Sequence, residues 1–168
     1  ARALVWGAAW DMTRDAEMGT GDYLDLVLAG LPHEGDVSVV QQLIRQLRTA
    51  IELYASDENR DRYQLTLAAE LRRLMEDAPA GSDHQLAFAR GYIATATDPA
   101  DLRRVNSLYC GESQLAGLVV DDELRWSMLQ RLVIMDQVGD DAIDAELARD
   151  NTATGIRHLA RAEVQHLS

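Results

Sequence analysis

The run Asp140-Asp141-Ala142-Ile143-Asp144 has the DDxxD spacing in which carboxylates one helical turn apart can share a hard cation and, through it, hold a diphosphate. The same residues read as a helix start, with Asp140 as cap, its acidic neighbours complementing the helix dipole and Ile143 facing a core. The second reading is preferred, because no Arg or Lys phosphate clamp and no second metal motif accompany the run. Glu163-Val164-Gln165-His166 has the Glu-x-x-His spacing of di-iron bundles, but those sites need the motif twice, and one copy occurs here. His33-Glu34 lacks the second His that a zinc-peptidase helix places four residues on. The four histidines are scattered, with His84 expected as a first-turn surface or interdomain residue and His158 on a helix face. Cys110 has neither a CxxC partner nor a neighbouring His, so it is expected to be a buried or half-buried structural thiol. GxSxG, P-loop and GxGxxG motifs are missing, and Gly19-Thr20-Gly21 reads as a loop. These residues therefore assign no catalytic side chain, no metal ligand and no cofactor site.

The composition supports a packed domain: 47% of the residues are hydrophobic and 26% charged, the balance of a globular protein. A chain of 168 residues buries roughly 70% of its unfolded surface without a disulfide or metal. It is expected to be a single α-helical domain over residues 1–168, cut from something longer, since helix begins at Ala1 with no start Met or cap. The net charge is −12, and all 16 basic residues are Arg. Such a surface repels phosphate backbones, which excludes nucleic acid as a partner. Ala3 to Trp10, the longest strongly apolar run, falls far short of a membrane span, and no signal sequence opens the chain. No membrane partner and a cytoplasmic location are expected.

Helical periodicity runs throughout. Leu4, Val5, Ala8, Ala9 and Met12 with Trp6 and Trp10 make a first helix apolar nearly all round, expected to be buried on several sides. Asp22 is read as the cap of a helix ending at Gly30-Leu31-Pro32, and Asp36 as the cap of the clearest amphipathic helix, Val39 to Tyr54. Further helices are predicted from Arg60 to Glu76, after the Ser82-Asp83-His84-Gln85 capping box, from Asp98-Pro99 to Tyr109, from Asp121 to near Gly139, from Asp140, and from Thr152 or Thr154. About nine or ten helices with short connections and no period-two strand give an all-α fold. Antiparallel pairs stacked as a HEAT-like superhelix are expected, with a closed helical bundle as the alternative.

Gly117-Leu118-Val119-Val120-Asp121-Asp122-Glu123-Leu124-Arg125-Trp126, followed after a helix by Asp150-Asn151-Thr152-Ala153-Thr154-Gly155, resembles the GLxxDxxLRW and DxTxxG signature of zinc-dependent aminopeptidase N-type enzymes, in their C-terminal helical domain. Asp83 to Arg90 and the opening Ala3-Leu4-Val5-Trp6 are also similar to that domain in actinobacterial members. The resemblance covers essentially the whole chain in order. It implies a HEAT-like array that closes over the catalytic domain and encloses a peptide cavity. The family's zinc motif, glutamate base and peptide-amine recognition loop lie in an earlier domain and do not occur here. The resemblance therefore implies no cofactor in this fragment and zinc in the parent enzyme. Its implied partners are an upstream catalytic domain of the same chain and a peptide substrate, and the isolated fragment could self-associate through its apolar first helix.

Within that reading the residues of interest are Arg125 and Trp126. An Arg in the first turn of a capped helix can fork onto a carboxylate or terminal carbonyls, or lie against an aromatic face. A structural role between helix pairs is preferred, and contact with the far end of a peptide is the alternative. The competing functional classes are a free-standing helical repeat module that binds a protein partner and a small-molecule-binding bundle.

Overall fold

The computed structural model of the chain describes residues 2–150. These form eight α-helices and a 3-10 turn, with no strand among the described residues: α1 (Arg2–Arg14), α2 (Thr20–Gly30), the turn Leu31–His33, α3 (Val37–Tyr54), α4 (Asp57–Asp77), α5 (Asp83–Thr95), α6 (Pro99–Cys110), α7 (Asp122–Ile134) and α8 (Asp140–Arg149). The all-α class read from periodicity is what is found. The chain divides between Thr95 and Ala96 into two compact units. The helix expected from Thr152 or Thr154, His158 and the Glu163 to His166 motif lie outside the described residues.

In the first unit α3 supplies the longest apolar stripe. Val40, Leu43, Ile44, Leu47, Ala50 and Ile51 recur at three- and four-residue spacing and are all buried, while Asp36 caps the helix by accepting from the Ser38 amide at 2.8 Å. α3 packs against α4, where Leu67, Ala68, Leu71, Leu74 and Met75 are buried, and against α5, where Ala87, Phe88, Tyr92 and Ile93 are buried. The Ser82 hydroxyl accepts from the Gln85 amide at 3.1 Å. The Gln85 side chain reaches back to the Gly81 amide at 2.8 Å, one residue beyond its position in a simple capping box. His84, half-buried in the first turn of α5, brings Nε2 within 3.0 Å of the Glu34 carbonyl.

Several boundaries and faces differ from expectation. α1 is buried along Trp6, Ala9 and Thr13 only, whereas Leu4 is 79% exposed, Val5 52% and Met12 38%. The Trp6 side turns inward because it carries the larger apolar area and because its indole N–H finds the Glu34 carboxylate at 3.1 Å. Gly30 makes the seat: a Cβ there would lie 2.2 Å from Trp6 Cη2. Asp22 does not cap α2. The N-cap is Gly19, without a side-chain bond, and Asp22 sits in the first turn, where its charge still suits the dipole. α4 starts at Asp57, three residues before Arg60, with Arg60 paired back to Asp57 at 2.7 Å.

The second unit begins as expected, with Asp98 accepting from the Ala100 amide at 2.8 Å and Pro99 in the first turn. Asp121 caps α7 through the Leu124 amide at 2.8 Å. α7 stops at Ile134, short of Gly139, because Asp136 turns left-handed at φ 53°. The Gln137 amide then bonds the Leu132 carbonyl at 2.8 Å and the Asp136 amide bonds Val133 at 3.0 Å, which is a Schellman stop. Asp140 is not a cap either, since α8 has Gly139 at its N-cap. Trp126, Leu129, Val133 and Ile143 form the core of the unit, with Tyr109, Val138, Ala142 and Leu147 packed around it. No described helix is long and apolar enough to cross a membrane.

Candidate functional site

The polar centre of the second unit is a carboxylate in the core. Ile143 and Glu146 lie on one stripe of α8 and both are buried, Glu146 to 2% exposure. A charge placed there must be paired. Arg125, in the first turn of α7, forks onto it, with Nε donating to Oε1 at 3.0 Å and Nη2 to Oε2 at 2.7 Å. Arg149, one turn along α8, donates to Oε1 from Nε at 2.9 Å and reaches Asp122 Oδ1 at 2.7 Å. The Tyr109 hydroxyl, from the last turn of α6, donates to Oε2 at 3.0 Å. Arg125 also donates from Nη1 to the Tyr109 carbonyl at 2.9 Å, and its guanidinium stands 4.6 Å over the Tyr109 ring. The aromatic face it meets is that of Tyr109, and the neighbouring Trp126 is fully buried with its indole N–H on Asp150 Oδ2 at 2.8 Å.

The electrostatics follow from this geometry. Burial alone would raise the Glu146 pKa, but hydrogen bonds from Arg125, Arg149 and Tyr109 outweigh it and hold the carboxyl at about 2. Tyr109 is pushed up to about 12 by burial, and by its bond to Glu146. Arg125 and Arg149 are both raised, chiefly by hydrogen bonding to Glu146. Groups poised this far from neutrality do not exchange protons near pH 7, so the arrangement offers no general acid or base. It ties α6, α7 and α8 to one carboxylate.

Beside it the segment from Gly111 to Val120 and the end of α6 wall an open cavity of about 650 Å³, with Arg125 in its lining. Gly111 at φ 76° ends α6, Gly117 at φ 82° turns the segment toward α7, and the Ser113 amide ties it back to the Ser107 carbonyl at 3.1 Å. Cys110 opens onto this cavity and is exposed, with Sγ 3.8 Å from Asn106 Oδ1, contrary to the buried or half-buried thiol expected. The buried positions of α6 are Leu102, Val105 and Leu108, which leaves position 110 on the outer face of its last turn.

Asp140, Asp141 and Asp144 are all exposed while Ile143 is buried, so the DDxxD run lies on the outer side of α8. Sequence reasoning singled out Arg125 and Trp126 but missed Glu146 and Tyr109. The available signal was a glutamate at a position where the apolar stripe of α8 should continue. The GLxxDxxLRW segment meets Asp150, the first residue of the DxTxxG pattern: Gly117 turns, Asp121 caps, Leu124 fills the core, Arg125 forks, and Trp126 bonds Asp150.

A family model described as the ERAP1-like C-terminal domain matches residues 1–165. Over 165 residues the chain is 48% identical to the Aminopeptidase N of Streptomyces lividans, an alignment covering 96% of this chain and 19% of that protein. The chain thus spans about a fifth of the length of that relative.

Proposed function

The chain belongs to the ERAP1-like C-terminal domain family, and on that premise we propose that it is the non-catalytic C-terminal domain of a zinc-dependent aminopeptidase that removes N-terminal residues from peptides. In this reading it closes over the active site of the parent enzyme and shapes the cavity that holds the peptide. The observation that supports it most is the match along residues 1–165, together with 48% identity to a protein named Aminopeptidase N. The second unit suits such a part, because its buried charges are spent on joining three helices.

Among the described residues no three His, Cys, Asp or Glu side chains stand together as a metal site. In this proposal the zinc belongs to the upstream catalytic part of the parent enzyme. The outward face of α1, with Leu4, Val5 and Met12 exposed, is the surface we assign to contact with the rest of the parent chain. We place the parent enzyme in the cytoplasm.

The test is a peptidase assay on an N-terminal aminoacyl reporter with this chain, the full-length parent, and the two parts mixed. Activity is expected only where the upstream part is present. Zinc-dependent turnover by this chain alone would overturn the reading.

A further inference from the structure

Most arginines whose side-chain contacts are described are spent on carboxylates: Arg14 on Asp11, Arg60 on Asp57, Arg73 on Glu70 and Asp77, and Arg125 and Arg149 on Glu146. Arg45 and Arg48 of α3 differ. Among the described residues neither guanidinium makes a hydrogen bond or salt bridge, and Arg48 has only the field of Glu52, one turn on. Both line a cavity of about 230 Å³ in the first unit, walled otherwise by Gln41 and Ile44 of α3 and by Ala87, Arg90 and Gly91 of α5.

The helix spacing explains the convergence. Gln41, Arg45 and Arg48 follow one another at four and three residues, so they share a stripe of α3. Opposite them, Ala87 and Gly91 are one turn apart on α5, buried and too small to fill the space. Gly91 is in close contact with α3, since a Cβ there would stand 3.0 Å from Ile44 Cγ2. Arg90 has a partner of its own and adds its charge to the same lining.

No carboxylate lines the cavity. Arg45 and Arg48 are like charges one turn apart on α3, and an anion placed between them relieves their repulsion. Gln41, Arg45 and Arg48 are exposed along the mouth of this open cavity, so both guanidinium groups are within reach of a dissolved anion. A guanidinium fork matches the two oxygens of a carboxylate or phosphate. The volume lies below the range of roughly 300–1,000 Å³ usual for whole small-molecule sites, so it suits one charged group and not an entire cofactor. We propose that the α3–α5 cavity lined by Arg45, Arg48 and Arg90 binds an oxyanion, either a carboxylate or a phosphate group. This site stands independently of the peptidase reading.

The experiment is an NMR titration of the isotope-labelled 168-residue chain at constant ionic strength with inorganic phosphate, acetyl-dialanine, and the C-terminal amide of that peptide. The Gly91 amide and the arginine Nε–H signals report on the cavity. Saturable shifts are expected with phosphate, with the free peptide acid, or with both, and the amide is expected to cause none. Saturation by phosphate alone identifies a phosphate site, and saturation by the peptide acid alone a carboxylate site. Arg45→Gln with Arg48→Gln is expected to weaken binding at least tenfold, while Arg73→Gln, on α4, leaves it unchanged. Linear shifts with both anions, or equal shifts from acid and amide, overturn the proposal without reliance on any variant. So does undiminished affinity in the double variant.

Discussion

Glu146 takes hydrogen bonds from Arg125, Arg149 and Tyr109, which makes it the residue whose charge the second unit can least do without. Its folded pKa of about 2 lies below the ordinary 4.5, so the stabilisation is fully present above about pH 4.5 and is lost as pH falls toward 2. At 1.36 kcal/mol per unit this is worth about 3 kcal/mol. Glu146→Gln keeps the volume and removes the charge. It is expected to be less stable than the unsubstituted chain by about that amount at pH 7, with the gap closing below pH 4.5 in a series of thermal melts. A gap of constant size from pH 7 to pH 2 would contradict the assignment. The two arginines should not be equivalent. Arg125 is 25% exposed and also holds the Tyr109 carbonyl, so Arg125→Ala is expected to cost about 3 kcal/mol, the scale for breaking a buried pair. Arg149 is 43% exposed, and its removal should cost about 1 kcal/mol or less. An unchanged melting temperature in Arg125→Ala would remove the case for its structural role.

Among the helices, the end of α1 carries stored strain that can be relieved. The Glu17 amide bonds the Met12 carbonyl at 2.8 Å in a Schellman stop, and this places Ala16 at φ 60°, a conformation that favours glycine. The left-handed conformation costs an L-residue roughly 1–2 kcal/mol, against about 0.5–1 kcal/mol of extra chain entropy lost by Gly on folding. Ala16→Gly is therefore expected to stabilise by about 0.5 kcal/mol or more, read as a raised denaturation midpoint. Gly30 is held by packing against α1. Alanine would gain about 1 kcal/mol of helix propensity there, but its Cβ would stand 2.2 Å from Trp6 Cη2, and overpacking of that kind costs about 1–3 kcal/mol. Caps were legible at Asp36, Ser82, Asp98 and Asp121, because a side chain bonding an amide two or three residues on is local chemistry. Asp22 and Asp140 were misread because an Asp inside the first turn serves the dipole as well as one at the cap. Arg125 was legible beside its cap. Its partners Glu146 and Tyr109, 21 and 16 residues away, were not, since their meeting depends on how three helices pack.

For the molecule as a whole, two opposed surface properties decide how copies behave in solution. A net charge of −12 keeps them apart, while the outward face of α1 offers Leu4 at 79% exposure, Val5 at 52% and Met12 at 38%. Raising salt shortens the Debye length to about 3 Å at 1 M and so weakens the repulsion without weakening apolar contact. The chain is therefore expected to associate with increasing concentration, and more so at high salt, in sedimentation velocity. Leu4→Glu with Val5→Glu should abolish the association. It should leave the melting temperature nearly unchanged, because substitutions of exposed side chains usually shift stability by no more than about 0.5 kcal/mol. Association that weakens with salt would place the contact on charge pairs elsewhere, and a monomer at every salt concentration would show that this face does not bind a second copy. Loss of association at unchanged stability would make the α1 face a surface for other protein and not part of the core of this one, as its proposed contact with the rest of an aminopeptidase requires.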